Sequence, residues 1–185
     1  MSDARGTLHA GTSGYQYDHW KGVFYPGDMP KDRWLDHYVT HFATVEINNT
    51  FYGLPEPETF DAWREAAPEG FIFALKFSRY GSHMKALKDP GDTISAFMER
   101  AERLGDTLGP VLVQLRPKWK ANPSRLGAFL DAAPENVSWA VELRDESWLD
   151  DEVYDVLRSH NAALVIHDMI PEHPRMITAN WTYLR

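Results

Sequence analysis

The sequence contains no cysteine in 185 residues, which removes disulfides, thiolate nucleophiles, iron–sulfur clusters and cysteine-type zinc sites together. Any metal would have to rest on His, Asp or Glu. No apolar run approaches the roughly 20 residues needed to cross a bilayer, and residues 1–6 (MSDARG) lack the basic start and apolar stretch of a secretion signal. The expectations are a cytoplasmic location and no membrane partner. Positive charge is also scarce: 19 Lys and Arg stand against 27 Asp and Glu, a formal net charge of -8. That balance opposes sequence-independent attraction to nucleic acid, while a local basic pocket stays compatible with it. Internal repeats, low-complexity tracts and linkers are missing too, so residues 1–185 are read as one domain.

What is present suits a packed core, with 43% hydrophobic and 13% aromatic residues, including 7 Trp. The runs Phe42–Asn48 (FATVEIN), Phe71–Phe77 (FIFALKF), Pro110–Leu115 (PVLVQL), Ser138–Arg144 (SWAVELR) and Ala163–Asp168 (ALVIHD) read as short strands. Most lack apolar/polar alternation, as strands covered on both faces do. Leu8–Thr12 and Trp181–Arg185 supply a first and a last strand, seven in all. Helical spacing fills the gaps: Trp34, Leu35, Tyr38, Val39 and Phe42; Phe60 and Trp63; Ile94, Phe97, Met98, Ala101 and Leu104 behind Asp92 as cap; Leu126, Phe129 and Leu130 behind Asn122-Pro123; and Val153, Val156 and Leu157. Met169–Asn180, with two prolines, shows no helix.

Strand alternating with helix implies a parallel sheet, either open or closed into a barrel. No G-x-G-x-x-G or P-loop follows any strand, which counts against the open dinucleotide-binding form. Polar residues end nearly every strand, which favours a TIM-like (β/α) barrel in the α/β class. Such barrels take about 250 residues; here the chain stops within the seventh strand, so a barrel truncated after about seven strands is expected, with an edge open to a partner chain.

Strand parity places Glu46 with Asn48 and Glu142 with Arg144 on common faces. Lys76, Gln114 and His167 or Asp168 hold equivalent positions at strand ends. A single ion pair there can be structural, whereas several polar groups gathered at one end point to a site. Glu46 and Glu142 alone suggest glycoside chemistry only weakly, because their strands lie across the barrel from one another. The eight histidines form no H-E-x-x-H motif; His37 and His41 read as a helical pair, and His167-Asp168 with Glu142 or Glu46 is the better metal candidate. No metal ligand set and no cofactor is assigned. Gly11-Thr12-Ser13-Gly14 reads as a tight strand-end loop. Lys76, Arg79, Arg116, Arg144 and Arg185 lie near the proposed mouth, where gathered cations would select phosphate or carboxylate. Trp20, Phe24, Tyr25, Phe51, Tyr52 and Trp148 follow strand ends as candidate walls of a pocket.

Gly11-Thr12-Ser13-Gly14-Tyr15, His19-Trp20, Phe24-Tyr25-Pro26, Thr44–Tyr52 (TVEINNTFY), Phe73–Arg79 (FALKFSR), Leu108–Leu115 (LGPVLVQL) and Ala140–Trp148 (AVELRDESW) together resemble the YecE-like family, domain of unknown function 72. The resemblance implies a (β/α) barrel and names no reaction. Its polar motif positions fall on Glu46, Asn48, Lys76, Arg79, Gln114, Glu142 and Arg144. The leading expectation is an enzyme that holds a small anionic substrate at the barrel mouth, with Glu46, Glu142 and Lys76 as catalytic groups. Asn48, Arg79, Gln114, Arg144 and Trp148 are the expected substrate contacts. The competing readings are a metal-dependent phosphodiester hydrolase like the endonuclease-IV-like barrels, analogous by fold only, and a non-catalytic binding or scaffold protein.

Overall fold

The computed structural model describes residues 6–185, so the stretch examined for a secretion signal lies outside it apart from Gly6. Seven parallel strands form one sheet in chain order: β1 (Gly11–Ser13), β2 (Thr44–Ile47), β3 (Ile72–Lys76), β4 (Leu108–Gln114), β5 (Trp139–Glu142), β6 (Ala163–Ile166) and β7 (Tyr183–Leu184). Helices lie between them: α1 (Trp34–Tyr38), α2 (Asn49–Tyr52), α3 (Pro57–Ala66), α4 (Pro90–Ala101), α5 (Pro123–Asp131) and α6 (Asp151–Ser159). Each strand pairs with the next and none reverses, the winding of a TIM-like (β/α) barrel. The sheet curls far enough for Tyr183 of β7 to reach Glu46 of β2 and for Arg185, just after β7, to reach Ser13 of β1, although among the described residues β1 and β7 share no backbone pairing.

Alternation, invisible as polarity, is present as size. Val45, Ile47, Phe73, Leu75, Val111, Val113, Val141 and Leu164 belong to the large core between sheet and helices. Their neighbours on the other face are small or polar: Glu46, Ala74, Lys76, Gln114, Ala140 and Glu142. Inside the curl, Leu112, Ala140 and Val165 form a separate small apolar cluster against Trp181 and Tyr183. Burying a large aliphatic or aromatic side chain stabilises by about 1.5–3 kcal/mol, so the outer layer carries the fold.

Local chemistry sets the element ends. The Asn122 side chain accepts from the Arg125 amide at 2.9 Å, with Pro123 at the first position of α5. Asp150 caps α6 through the Glu152 amide at 3.0 Å. Asp92 is not the cap of α4: the helix begins two residues earlier at Pro90, whose fixed φ starts the first turn, and Asp92 sits inside that turn. The Gly11–Gly14 stretch is also not a loop, because Gly11–Ser13 is β1 itself. A Cβ at Gly11 would lie 1.9 Å from the Thr44 carbonyl oxygen, so the close strand approach demands glycine, and Gly14 ends the strand at φ +92°. Met169–Asn180 contains no helix. No helix among the described residues is long and apolar enough to cross a membrane.

Candidate functional site

The C-terminal strand ends converge on a charged layer at the mouth of the curl. Glu142, fully buried at the end of β5, accepts from Gln114 Nε2 at 2.7 Å, from Arg144 Nε, and from Arg185 Nη1 at 2.5 Å. Glu46, buried on β2, accepts from Ser13 Oγ at 2.5 Å, from Arg185 Nη2 at 2.8 Å, and from the Tyr183 hydroxyl at 2.9 Å. One guanidinium therefore bridges two carboxylates that come from strands on opposite sides of the curl. Asn48 Nδ2 donates to Ser13 Oγ at 2.8 Å, which ties the end of β2 to β1.

Each of the two carboxylates accepts three hydrogen bonds from described residues. Burial by itself would raise the Glu142 carboxyl, but the hydrogen bond and charge of Arg185, with Gln114 and Arg144, hold it below its ordinary value. Burial and the Glu46 charge push the Tyr183 phenol up, so it stays a donor. Both carboxylates anchor Arg185, Glu142 through Nη1 and Glu46 through Nη2.

Lys76 differs. It is only 9% exposed at the end of β3, yet among the described residues its ammonium makes no ion pair or hydrogen bond, and its near neighbour is the Phe51 ring with the centroid 4.5 Å away. Burial lowers its pKa; the charges of Arg185 and Arg144 push the same way, against the opposing pull of Glu46 and Glu142. Near it lie Arg144 and Arg185 with their partners Glu46 and Glu142, and Asp168 lines the same cavity as Arg144 and Arg185. Exposed Arg79 and Arg116 add to this field: the His83 pKa is lowered first by burial and then by the charges of Lys76, Arg79, Arg116 and Arg144.

The expected site residues therefore separate. Glu46, Asn48, Gln114, Glu142 and Arg144 belong to one bonded layer, with Lys76 beside it and Arg79 at the exposed rim. Trp148 does not line the mouth. It is fully buried in the outer core, with its indole N–H donating to the Trp119 carbonyl at 2.5 Å and its ring edge-on to Trp119; the turn after β5 folds it outward, away from the strand ends. Tyr25 is likewise core, stacked on Trp34, while Tyr52 is exposed. His167 donates through Nε2 to the Leu143 carbonyl at 2.8 Å, and Asp168 is exposed. Among the described residues no three His, Asp or Glu side chains are grouped to hold a metal ion. Ser13 and Tyr183 are members the sequence did not single out, and Arg185, placed only among the rim cations, proves to be the link between both carboxylates.

Below this layer a cavity of about 1410 Å³ runs through the curl, from Leu108 and Ser138 at the N-terminal strand ends to Arg144 and Arg185 at the mouth. It exceeds the roughly 300–1,000 Å³ usual for a small-molecule cleft, and small residues such as Ala74 and Gly11 are among those that line it.

A family model described as a protein of unknown function, DUF72, matches residues 9–185. The UPF0759 protein YecE of Escherichia coli K12 is 36% identical over 113 residues, 60% of this chain and 41% of that protein's length. Among solved structures, a DUF72 family protein from Thermotoga maritima superposes with a TM-score of 0.82 at 28% identity, covering 95% of this chain and 72% of that one. A DUF72 family protein from Enterococcus faecalis gives a TM-score of 0.73 at 24% identity, over 91% of this chain and 65% of that one, a likeness of fold alone.

Proposed function

The chain belongs to the DUF72 family, a family of unknown function, and from the chemistry of its strand ends we propose that the mouth binds a small molecule bearing phosphate or carboxylate. The supporting observation is the positive charge beside Glu46 and Glu142: among the described residues the Lys76 ammonium has no ion-pair or hydrogen-bond partner, and Arg79 and Arg116 stand at the exposed rim. An anion there would gain charge-assisted hydrogen bonds in a partly desolvated recess, where they are stronger than on open surface. A protein of net charge -8 would draw in few anions without such a local concentration of cations.

In this reading Arg79, Arg116 and Arg144 hold the anionic group, Gln114 and Asn48 orient it through the bonded layer, and Lys76 is the group free to act on what is bound. The test is thermal melting of the intact chain with inorganic phosphate and with sulfate at low ionic strength. Phosphate should raise the melting temperature, by an amount that falls as chloride is added. Arg79→Gln combined with Arg116→Gln, both at exposed positions, should leave the unliganded unfolding free energy within about 0.5 kcal/mol of the parent and remove most of the phosphate response. A parent that melts identically with and without both anions contradicts the proposal.

A further inference from the structure

Strand β3 ends at Lys76, and the chain that follows takes an unusual path. Tyr80–Met84 forms a π-helical turn, and three non-glycine residues just beyond it, Ala86 (φ 48°), Leu87 (φ 60°) and Asp89 (φ 43°), adopt left-handed backbone. π turns and strained backbone of this kind concentrate where a side chain must be placed for a task. Here the segment places His83, whose ring meets Phe51 edge-on with centroids 5.0 Å apart. The same Phe51 ring carries the Lys76 ammonium. Ser82 Oγ donates to the Ser78 carbonyl at 2.8 Å and so accepts from His83 Nδ1 at 3.0 Å, which fixes His83 with its Nε2 lone pair free. Lys76 is thus a buried primary amine walled by an aromatic ring, with cations nearby and, among the described residues, no carboxylate bonded to it.

A lysine kept only for packing would be served by an ion pair with Glu46 or Glu142, and both are already occupied by arginine. Desolvation and neighbouring cations are the conditions under which a lysine is a free amine near neutral pH, and burial does lower the Lys76 pKa. Resting on the anion site above, we propose that Lys76 is an amine nucleophile that condenses with the carbonyl of a small aldehyde or ketone carrying phosphate or carboxylate. The neutral amine attacks the carbonyl carbon and forms the C–N bond. The carbonyl oxygen takes up both amine protons and leaves as water, and a C=N imine remains. No oxidant or cofactor is required, and the rim arginines select the anionic carbonyl compound over a neutral one.

The experiment traps that imine. The intact chain is incubated at neutral pH with pyruvate, dihydroxyacetone phosphate or acetone in the presence of sodium cyanoborohydride, which delivers hydride to the imine carbon and fixes a secondary amine. Each of the seven lysines is then read by peptide mass spectrometry. Lys76 should be modified about tenfold or more faster than any other lysine by pyruvate or by the phosphate compound, and not preferentially by acetone; which of the two labels faster assigns the anion as carboxylate or phosphate. Equal labelling of Lys76 and the surface lysines, or none at Lys76, overturns the proposal. If phosphate still raises the melting temperature in that case, only the imine fails; if that response is absent too, the anion site has failed with it.

Discussion

The two faces of the sheet are built to different rules. On the outer face Val45, Phe73, Phe77, Val113, Val141 and Leu164 belong to the large buried core and have almost no exposure. On the inner face the same strands offer alanine, glycine and charge, and the apolar cluster there shrinks to Leu112, Ala140 and Val165. Close packing of one face lets the other stay hollow: an interior lined by paired ions adds little stability over hydrophobic residues of similar size, so its polar composition is better explained by what it holds. The Thermotoga maritima protein shares this fold, and barrel-type scaffolds carry their sites at the C-terminal strand ends.

The sharpest way to break this comparison is to wound each face in turn. Phe77→Ala removes a fully buried ring that meets Phe97, Phe129 and Trp139 in the outer core, and should cost about 3–5 kcal/mol in denaturant unfolding. Arg185→Ala, on the inner face, withdraws donors from both carboxylates. Glu142 keeps Gln114 and Arg144, and Glu46 keeps Ser13 and Tyr183. The cost should accordingly be smaller, about 1–3 kcal/mol. An Arg185 variant as damaging as the Phe77 variant would mean that the inner layer, too, carries the fold.

The inner layer should also show in acid. The folded pKa of Glu142 lies below its unfolded value, so its contribution is present above the unfolded carboxyl pKa and is lost as pH falls through the folded one. Glu142→Gln should flatten the acid limb of the stability profile, measured by urea titrations at stepped pH. Tyr183→Phe removes only the hydroxyl that donates to Glu46 and should cost about 0.5–1.5 kcal/mol.

The smallest effect lies on the outer surface at His160. Burial disfavours the imidazolium, but Nε2 donates to Asp131 at 2.9 Å and Nδ1 to the Val156 carbonyl at 2.7 Å, and together they raise its pKa. Its contribution is therefore present below the unfolded histidine pKa and is lost as pH rises through the folded value. Asp131→Asn should lower the His160 titration midpoint in an NMR pH series; an unchanged midpoint would dissolve the pair.

Much of the fold was legible because strand and helix signals are local. Apolar runs such as FIFALKF and the Asn122-Pro123 start lie within a residue or two of the elements they mark. Glu46, Gln114, Glu142 and Arg144 were found by parity, since side chains on one face share a period of two. Strands of two or three residues carry no readable period, so Tyr183 and Ser13 went unmarked, and they join the layer only when the curl of the sheet brings β7 to β1 and β2. Arg185 acts through partners 43 and 139 residues away, a closure that no local pattern encodes. Trp148 misled for a related reason: its position after a strand fixes the neighbourhood, while the turn decides the face.

The central claim, that the hollow face ends in an anion site, is tested most directly by titrating inorganic phosphate into the isotopically labelled chain and following every backbone amide by NMR. The account predicts saturable shifts clustered at Ser13, Lys76, Arg79, Gln114, Arg144 and Arg185, weakened by added chloride and lost in the Arg79→Gln, Arg116→Gln double variant. Shifts absent throughout the titration, or confined to residues away from these strand ends, would contradict it.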